Sequence, residues 1–542
     1  MKYTVTAIAL LCGVTSSFAQ DQQPDAKDLI YHQRYASARE VLHASLKADP
    51  NNAANWYLLS QTFPGNDSAA VLRQELNAAP AEVRNQPMFE VAYGALLLKE
   101  DKKDSAAALF NHAMEATKEK DANVLAGVAN SHLDAKNGDP QFALAVLDKA
   151  IRRAKKDAEL YALQGDAWRR IGDGTAAYKA YTEALDKDKN YAAALYQLGK
   201  IFVAQKNDQL YVDYFDKAIA ADSLYAPAYY ELYYHYYYRD LPQAMSYFLK
   251  YKRHSDPSDD NEYQLTDLLY LTKNYEPAIE KAKTLIATSP NNARLYKLLA
   301  YSYLGLSDTA TAMSTMKQYF ATGHDSNYVA KDFETMAELY GTQAGMEDSA
   351  IAYYEKAAER QTDSAAAYAY YKKLTDISKK LKNYSLEAKY SGRFYTGNDQ
   401  ATNLDLFNWG LAHFRAEEYI QADTVFGTYI AKYPEQAFGY YWRARANSMQ
   451  DSTMEAGTAI PHYHNLITVL EKDTSNATNK KWLIEAYGYV AAYETNTEKD
   501  FPEAITYLQK ILAIDPDNKD AQRYISVLEK NVGSKQPTPG GK

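Results

Sequence analysis

Small and apolar positions recur along the chain at a fixed interval. From Ala150 one column continues at Ala184, Ala218, Tyr251, Leu285 and Tyr319, with spacings of 34, 34, 33, 34 and 34. Three residues earlier stand Leu147, Tyr181, Phe215, Phe248, Ala282 and Met316, and four before those Ala143, Ala177, Tyr211, Ala244, Ala278 and Ala312. Steps of four and then three keep all three columns on one helical face. The small residue that opens most units lets a neighbouring helix approach closely. Ahead of these columns runs a second periodic segment: Tyr161, Gly165 and Trp168; Leu195, Leu198, Gly199 and Phe202; Tyr229, Leu232 and Tyr236; Tyr296, Leu299, Ala300 and Tyr303. Units often close on a proline turn, as in Asp49-Pro50-Asn51-Asn52, Ser289-Pro290-Asn291-Asn292 and Asp515-Pro516-Asp517-Asn518. Proline ends one helix, and Asn or Asp can cap the next. The pattern predicts pairs of helices, written many times.

These residues resemble the tetratricopeptide repeat, whose signature is W-x2-L-G-x2-Y, then A-x3-F, then P. The best single matches run from Tyr161 to Ala184, from Leu406 to Pro434 (with Gly410, Tyr419, Ala422 and Phe426) and from Phe501 to Pro516. The resemblance implies an all-α fold, a right-handed α-solenoid of stacked helix-turn-helix units. It covers residues 27–516 in about 13 helical pairs, most regular over 124–322. Elsewhere the phase loosens. Ala36 to Pro50 reads as the second helix of a first unit, and Trp56 to Pro80 as a shortened one. Insertions fall near Gly138, Gly341 to Glu347, and Gln450 to Gly457. Residues 517–532 read as a capping helix with Ala521, Tyr524, Ile525 and Leu528 inward, and 533–542 as a disordered tail. One pair cannot bury its apolar face, whereas stacked pairs share a core. That leaves two free surfaces, an inner wall of first helices and an outer wall of second helices.

The N-terminus has a different character. Met1-Lys2, an apolar run from Val5 to Val14, and Ser17-Phe18-Ala19 have the form of a secretory signal over residues 1–19, cleaved after Ala19 and followed by a linker over 20–26. The single cysteine, Cys12, lies inside it, so the mature chain is expected to hold no disulfide and no cysteine metal site. Leu11 stands where a lipidation signal carries a small residue, so an outer-membrane lipoprotein is not expected. No later stretch has the length of a membrane helix. The sequence therefore reads as exported, to the periplasm or outside the cell.

Composition narrows the partners. With 60 basic and 69 acidic side chains the formal charge is −9, which argues against a nucleic-acid ligand. Tyrosine is the outlier, at 50 residues against 16 Phe and 5 Trp. Its densest run, Tyr225 to Arg239, reads YAPAYYELYYHYYYR. The resemblance places Tyr230, Tyr234, Tyr237 and Tyr238 on the inner wall and assigns Tyr229, Leu232, Tyr233 and Tyr236 to packing. The same count puts Tyr196 and Lys200 on one neighbouring unit, Tyr263, Asp267 and Tyr270 on the other, and Lys297 and Tyr301 beyond. A tyrosine-lined groove offers broad, stiff contact area plus hydroxyls. It suits other proteins or extended peptides, with a stacked glycan as the alternative. The bland reading is that tyrosine fills the aromatic slots of the repeat. A second patch comprises Phe407, Leu411, Phe414, Phe438, Tyr441 and Arg445. The Lys and Asn set that clamps a C-terminal carboxylate in some such repeats does not occur at these positions.

Catalytic chemistry finds no foothold. The phosphate-loop, H-E-x-x-H and G-x-S-x-G signatures are absent, and no catalytic residue, cofactor or metal is assigned. Gly172 to Ala177 imitates a dinucleotide fingerprint but is predicted in a turn between helices, with no strand before it. His462 and His464, two apart, lack a third ligand and read as a solvated turn. Asp259-Asp260 and Glu417-Glu418 read as solvated inter-helix turns.

Overall fold

The structure is a computed structural model that describes residues 25–533. The expected signal peptide, most of the linker and the tail after Gly533 lie outside the described residues. Among these there are 29 α-helices and no strand. The helices fall into two compact units, one holding the chain up to Pro290 with Tyr301–Asp308, the other Asn291–Ala300 with Thr309 onward.

The first unit opens with α1 (Ala26–Tyr31) and α2 (Tyr35–Ala48), then a short pair, Ala53–Gln61 and Ala69–Asn77. Longer pairs follow: Pro87–Lys99 with Lys103–Ala116, Ala122–Asp134 with Pro140–Arg153, and Ala158–Ile171 with Gly174–Lys187. Ala192–Ala204 with Asp208–Ala221, Ala226–Tyr237 with Leu241–His254, and Asp259–Leu271 with Tyr275–Thr288 complete it. In the second unit, Thr309–Thr322 precedes Ala330–Gly341 with Glu347–Glu359 and Ser364–Lys380 with Tyr384–Tyr395. Asn403–Arg415 with Tyr419–Lys432, Ala437–Gln450 with Ile460–Leu470, Ala477–Tyr493 with Phe501–Ile514, and a single last helix, Lys519–Gly533, follow. Each unit is an α-solenoid of consecutive helix pairs.

The periodic columns are the core. Leu147, Tyr181, Phe215, Phe248, Ala282 and Met316 are all wholly buried, as are Ala143, Ala177, Ala244, Ala278 and Ala312. Within a pair the fit is set by a glycine on the first helix opposite a ring on the second. A Cβ on Gly94 would lie 2.5 Å from the Phe110 ring, and one on Gly199 the same distance from Phe215. At Gly410 it would lie 2.8 Å from Phe426. These separations are below van der Waals contact, so the two helices can approach this closely only where the side chain is missing.

The proline turns act as expected at their ends. The Asn52 side chain accepts the Asn55 N–H at 3.1 Å, and Asn518 accepts that of Ala521 at 3.1 Å. Gly172, at φ +95, ends one helix and Asp173 caps the next. The string that imitates a nucleotide fingerprint is therefore a helix–turn–helix junction.

Candidate binding surface

Pro227 starts the helix Ala226–Tyr237, where its missing N–H carries no penalty. Tyr229, Leu232 and Tyr233 face inward and are buried. Tyr233 packs on Phe248 at 4.9 Å between centroids, and burial pushes its hydroxyl well up. Tyr236 stacks on Tyr247 at 5.6 Å. The remaining four tyrosines divide. Tyr234 and Tyr238 are 63% and 82% exposed. Tyr230 is half-buried against Tyr251, at 4.9 Å, and Tyr237 stands edge-on to Tyr233 at 5.8 Å.

The neighbouring first helix, Ala192–Ala204, sends Tyr196 and Lys200 to one acceptor. The Tyr196 hydroxyl donates to Glu231 Oε1 at 3.2 Å and the Lys200 ammonium lies 2.6 Å from the same oxygen. Glu231 is the centre of this cluster, and its place inside the tyrosine run was the signal that could have found it. On the other side Tyr263 and Asp267 are half-buried. Tyr270 lies 6.1 Å from Tyr275 and 6.3 Å from Tyr301. Lys297 belongs to the second unit. Its ammonium pairs with the wholly buried Asp332 carboxylate at 2.7 Å, and the Tyr319 hydroxyl donates to the same carboxylate at 2.8 Å.

The N-terminal helix supplies the feature sequence reading missed. The Tyr31 ring sits between Tyr191 and Tyr225, at 5.5 and 5.4 Å. Its hydroxyl accepts the Ala193 N–H at 3.2 Å, and burial pushes it up to about 12. His32 Nε2 lies 2.7 Å from Asp222 Oδ2, and Lys27 Nζ 2.8 Å from Glu159 Oε2. Arg34, the residue that precedes α2, makes no capping hydrogen bond. Asp256, 220 residues further on, supplies the cap instead, accepting the Ala36 N–H at 2.6 Å and the Ser37 hydroxyl at 2.6 Å. Behind α1 lies a cavity of about 260 Å³ to which the first helices of five successive pairs contribute, through Tyr57, Ala95, Asn130, Asp166 and Gln197. First helices of this unit thus face a common interior.

In the second unit the other patch is continuous. Phe438, 50% exposed, lies 5.9 Å from Phe407 and 5.3 Å from Trp482. Tyr441 stacks on Trp482 at 4.3 Å. The Arg445 guanidinium covers Phe414, Tyr441 and Trp442 at 5.9, 5.5 and 5.3 Å. Trp442 and Trp482 complete a surface of which sequence reading saw only part.

Three expectations need correction. On the last helix Ala521 and Leu528 are buried as expected, but Tyr524, expected to face inward, is exposed. His462 and His464 lie in the helix Ile460–Leu470, not in a turn, and burial holds the His462 imidazole below its usual range. Asp259 and Asp260 form the first turn of a helix capped by Ser258. Among the described residues no group of three or more His, Cys, Asp or Glu is placed to hold a metal, and no helix is long and apolar enough to cross a membrane.

The fold defines a class, solenoids assembled from two-helix repeats. Within it, the tetratricopeptide-repeat profile matches residues 25–63, 128–192 and 169–226. In these segments the chain carries tetratricopeptide repeats, and proteins built from such repeats generally act as scaffolds for other proteins. Among solved structures it is similar to the C-terminal part of a repeat-containing protein from Cytophaga hutchinsonii, at 29% identity over 48% of this chain and 99% of that one, with a TM-score of 0.29. It is also similar to the MamA protein, at 22% identity over 31% of this chain and 91% of that one, with a TM-score of 0.25. A tetratricopeptide-repeat protein from Parabacteroides merdae matches at 15% identity, 52% and 96% coverage and a TM-score of 0.21. No curated protein matches the chain.

Proposed function

We propose that the chain is a non-enzymatic scaffold of the cell envelope that binds other proteins or extended peptides, with Tyr234 and Tyr238 as its anchors. The observation that carries this reading is the exposure of these two rings beside three buried neighbours on one helix. Large exposed aromatic area is a contact surface in search of a partner. Two side-chain torsions per tyrosine keep the entropy loss on binding small. Tyr196, Lys200 and Glu231 supply a polar rim that orients what docks.

A photo-crosslinking amino acid placed at 234 and at 238 in cells tests the reading. Expected are discrete protein adducts in the envelope fraction, from a chain whose N-terminus is Gln20. Adducts to glycan alone, or none, would remove the protein-binding role. Recovery of an uncleaved chain from the cytosol would remove the envelope.

A further inference from the structure

Compared with the other first helices of its unit, α1 is peculiar. It is 6 residues long, whereas the first helices from Pro87 to Leu271 run 12 to 14. Its polar side chains also reach far along the chain. Lys27 meets the first turn of Ala158–Ile171, Tyr31 the start of Ala192–Ala204 and the cap residue of Ala226–Tyr237, and His32 the end of Asp208–Ala221.

The chemistry is one-sided. The receiving surface offers the carboxylates of Glu159 and Asp222 around the Tyr191 and Tyr225 rings, with Asp256 beyond them at the start of α2. The inserted segment offers Lys27, His32 and Arg34 around the Tyr31 ring, while its own Asp28 is exposed and Asp25 caps the helix. The fit is also incomplete. Arg34 Nε is buried without a hydrogen-bond partner, 3.8 Å from Asp256 Oδ1. An unsatisfied buried donor carries a desolvation penalty that release of the segment removes. Basic side chains against acidic ones, with one aromatic ring set between two, is how a groove recognises a peptide.

We infer that the surface formed by Glu159, Tyr191, Asp222 and Tyr225 is a docking site for a cationic peptide segment with a central tyrosine, that α1 fills it in cis, and that a foreign segment of this chemistry binds by displacing α1. This deepens the scaffold reading and rests on it. A tethered segment competes at an effective concentration on the order of millimolar, so a free peptide at micromolar levels is shut out until the tether lets go.

The test uses the full chain and a fluorescent peptide of residues 25–38, read by anisotropy. A chain with Tyr31→Ala and His32→Ala is expected to bind this peptide at least tenfold more tightly than the unaltered chain. Adding Glu159→Ala and Asp222→Ala to that chain should weaken binding about tenfold, and a peptide in which Tyr31 is alanine should not bind. No binding to a released chain that keeps its helical circular dichroism would overturn the inference, as would equal binding to the doubly altered surface. Should release cost helicity, the milder pair Lys27→Ala and His32→Gln decides by the same readings. Failure here with adducts at 234 and 238 intact sinks only the displaced-helix idea. Loss of both sinks the scaffold reading as well.

Discussion

The two units share one packing rule and differ in what they show to a partner. In the first, Gly199 admits the Phe215 ring, and in the second Gly410 admits Phe426. The faces diverge. The first unit presents tyrosines interleaved with carboxylates, and its own N-terminal helix already occupies part of that surface. The second presents the exposed Phe438 between the half-buried Phe407 and Trp482, with Tyr441 buried beneath Trp482 and Arg445 laid across the neighbouring rings. Core positions in a repeat array are constrained by both neighbours, whereas face positions touch only solvent or ligand, so they are where two halves of one array can part company.

The largest expected effect probes whether the units are separate in stability as they are in contacts. Phe215→Ala should destabilise the first unit by about 3–5 kcal/mol, and Phe426→Ala the second by a similar amount. Calorimetry of each variant is expected to move one transition and leave the other. A single transition that shifts equally in both variants would dissolve the comparison.

Next in size is the cap that Asp256 gives α2. Asp256→Ala is expected to cost about 1–2 kcal/mol, the usual worth of a helix cap, and only in the first unit. Hydrogen exchange should rise over Tyr35–Ala48 and stay unchanged after Thr309. Uniform protection would show that α2 does not depend on the distant carboxylate.

Acid probes an ion pair in each unit. The hydrogen bonds from Arg73 hold the Glu100 carboxyl at about 2, below its ordinary 4.5. Because the folded group titrates lower than the unfolded one, the pair stabilises fully above pH 4.5 and loses that contribution as the pH falls toward 2. For a partly exposed pair this is worth under about 1 kcal/mol. Arg73→Met should therefore lower stability at neutral pH and converge on the unaltered chain in acid. Parallel curves down to pH 2 would refute the assignment. In the second unit Asp423 is held low too, where hydrogen bonds from Arg443 and Asn447 outweigh the upward push of burial.

The smallest change in stability belongs to the exposed rings. Tyr234→Ala with Tyr238→Ala should leave unfolding within about 0.5 kcal/mol, as for surface positions in general. Tyr233→Ala, one residue away, should cost several kcal/mol. A large loss from the exposed pair would mean those rings serve the core after all.

Much of this architecture is legible in the sequence because each repeat solves a local problem. The columns at Ala150, Leu147 and Ala143 named the buried face, and the structure shows what the first-helix glycines add, since Gly165 leaves the room that the Tyr181 ring fills. The binding surface was less legible. Tyr230 and Tyr237 fall on the expected face by count, yet the rings of Tyr251 and Tyr233 reach far enough to half-cover them. Register gives direction and not side-chain length. Glu231 stood out as a lone acid inside the tyrosine run, but without a periodic signature nothing in the sequence said that Tyr196 and Lys200 would meet it. Tyr31 and Asp256 were invisible for a different reason. Their partners lie beyond a hundred residues away, and whether a stack of pairs returns to its own start depends on small rotations summed over every junction, which no single repeat encodes.

The distant cap on α2 orders events in time. The helix pairs from Pro87 onward pack on their chain neighbours, whereas the opening segment is also tied to distant pairs through Lys27–Glu159, Tyr31–Ala193 and His32–Asp222. The opening helices must wait, because the carboxylate that secures them is made 220 residues later. Contacts between residues so far apart in the chain are the kind that close slowly, because the entropy of the intervening loop is lost before they form. Maturation of this half is complete only when its last-made turn reaches back to its first.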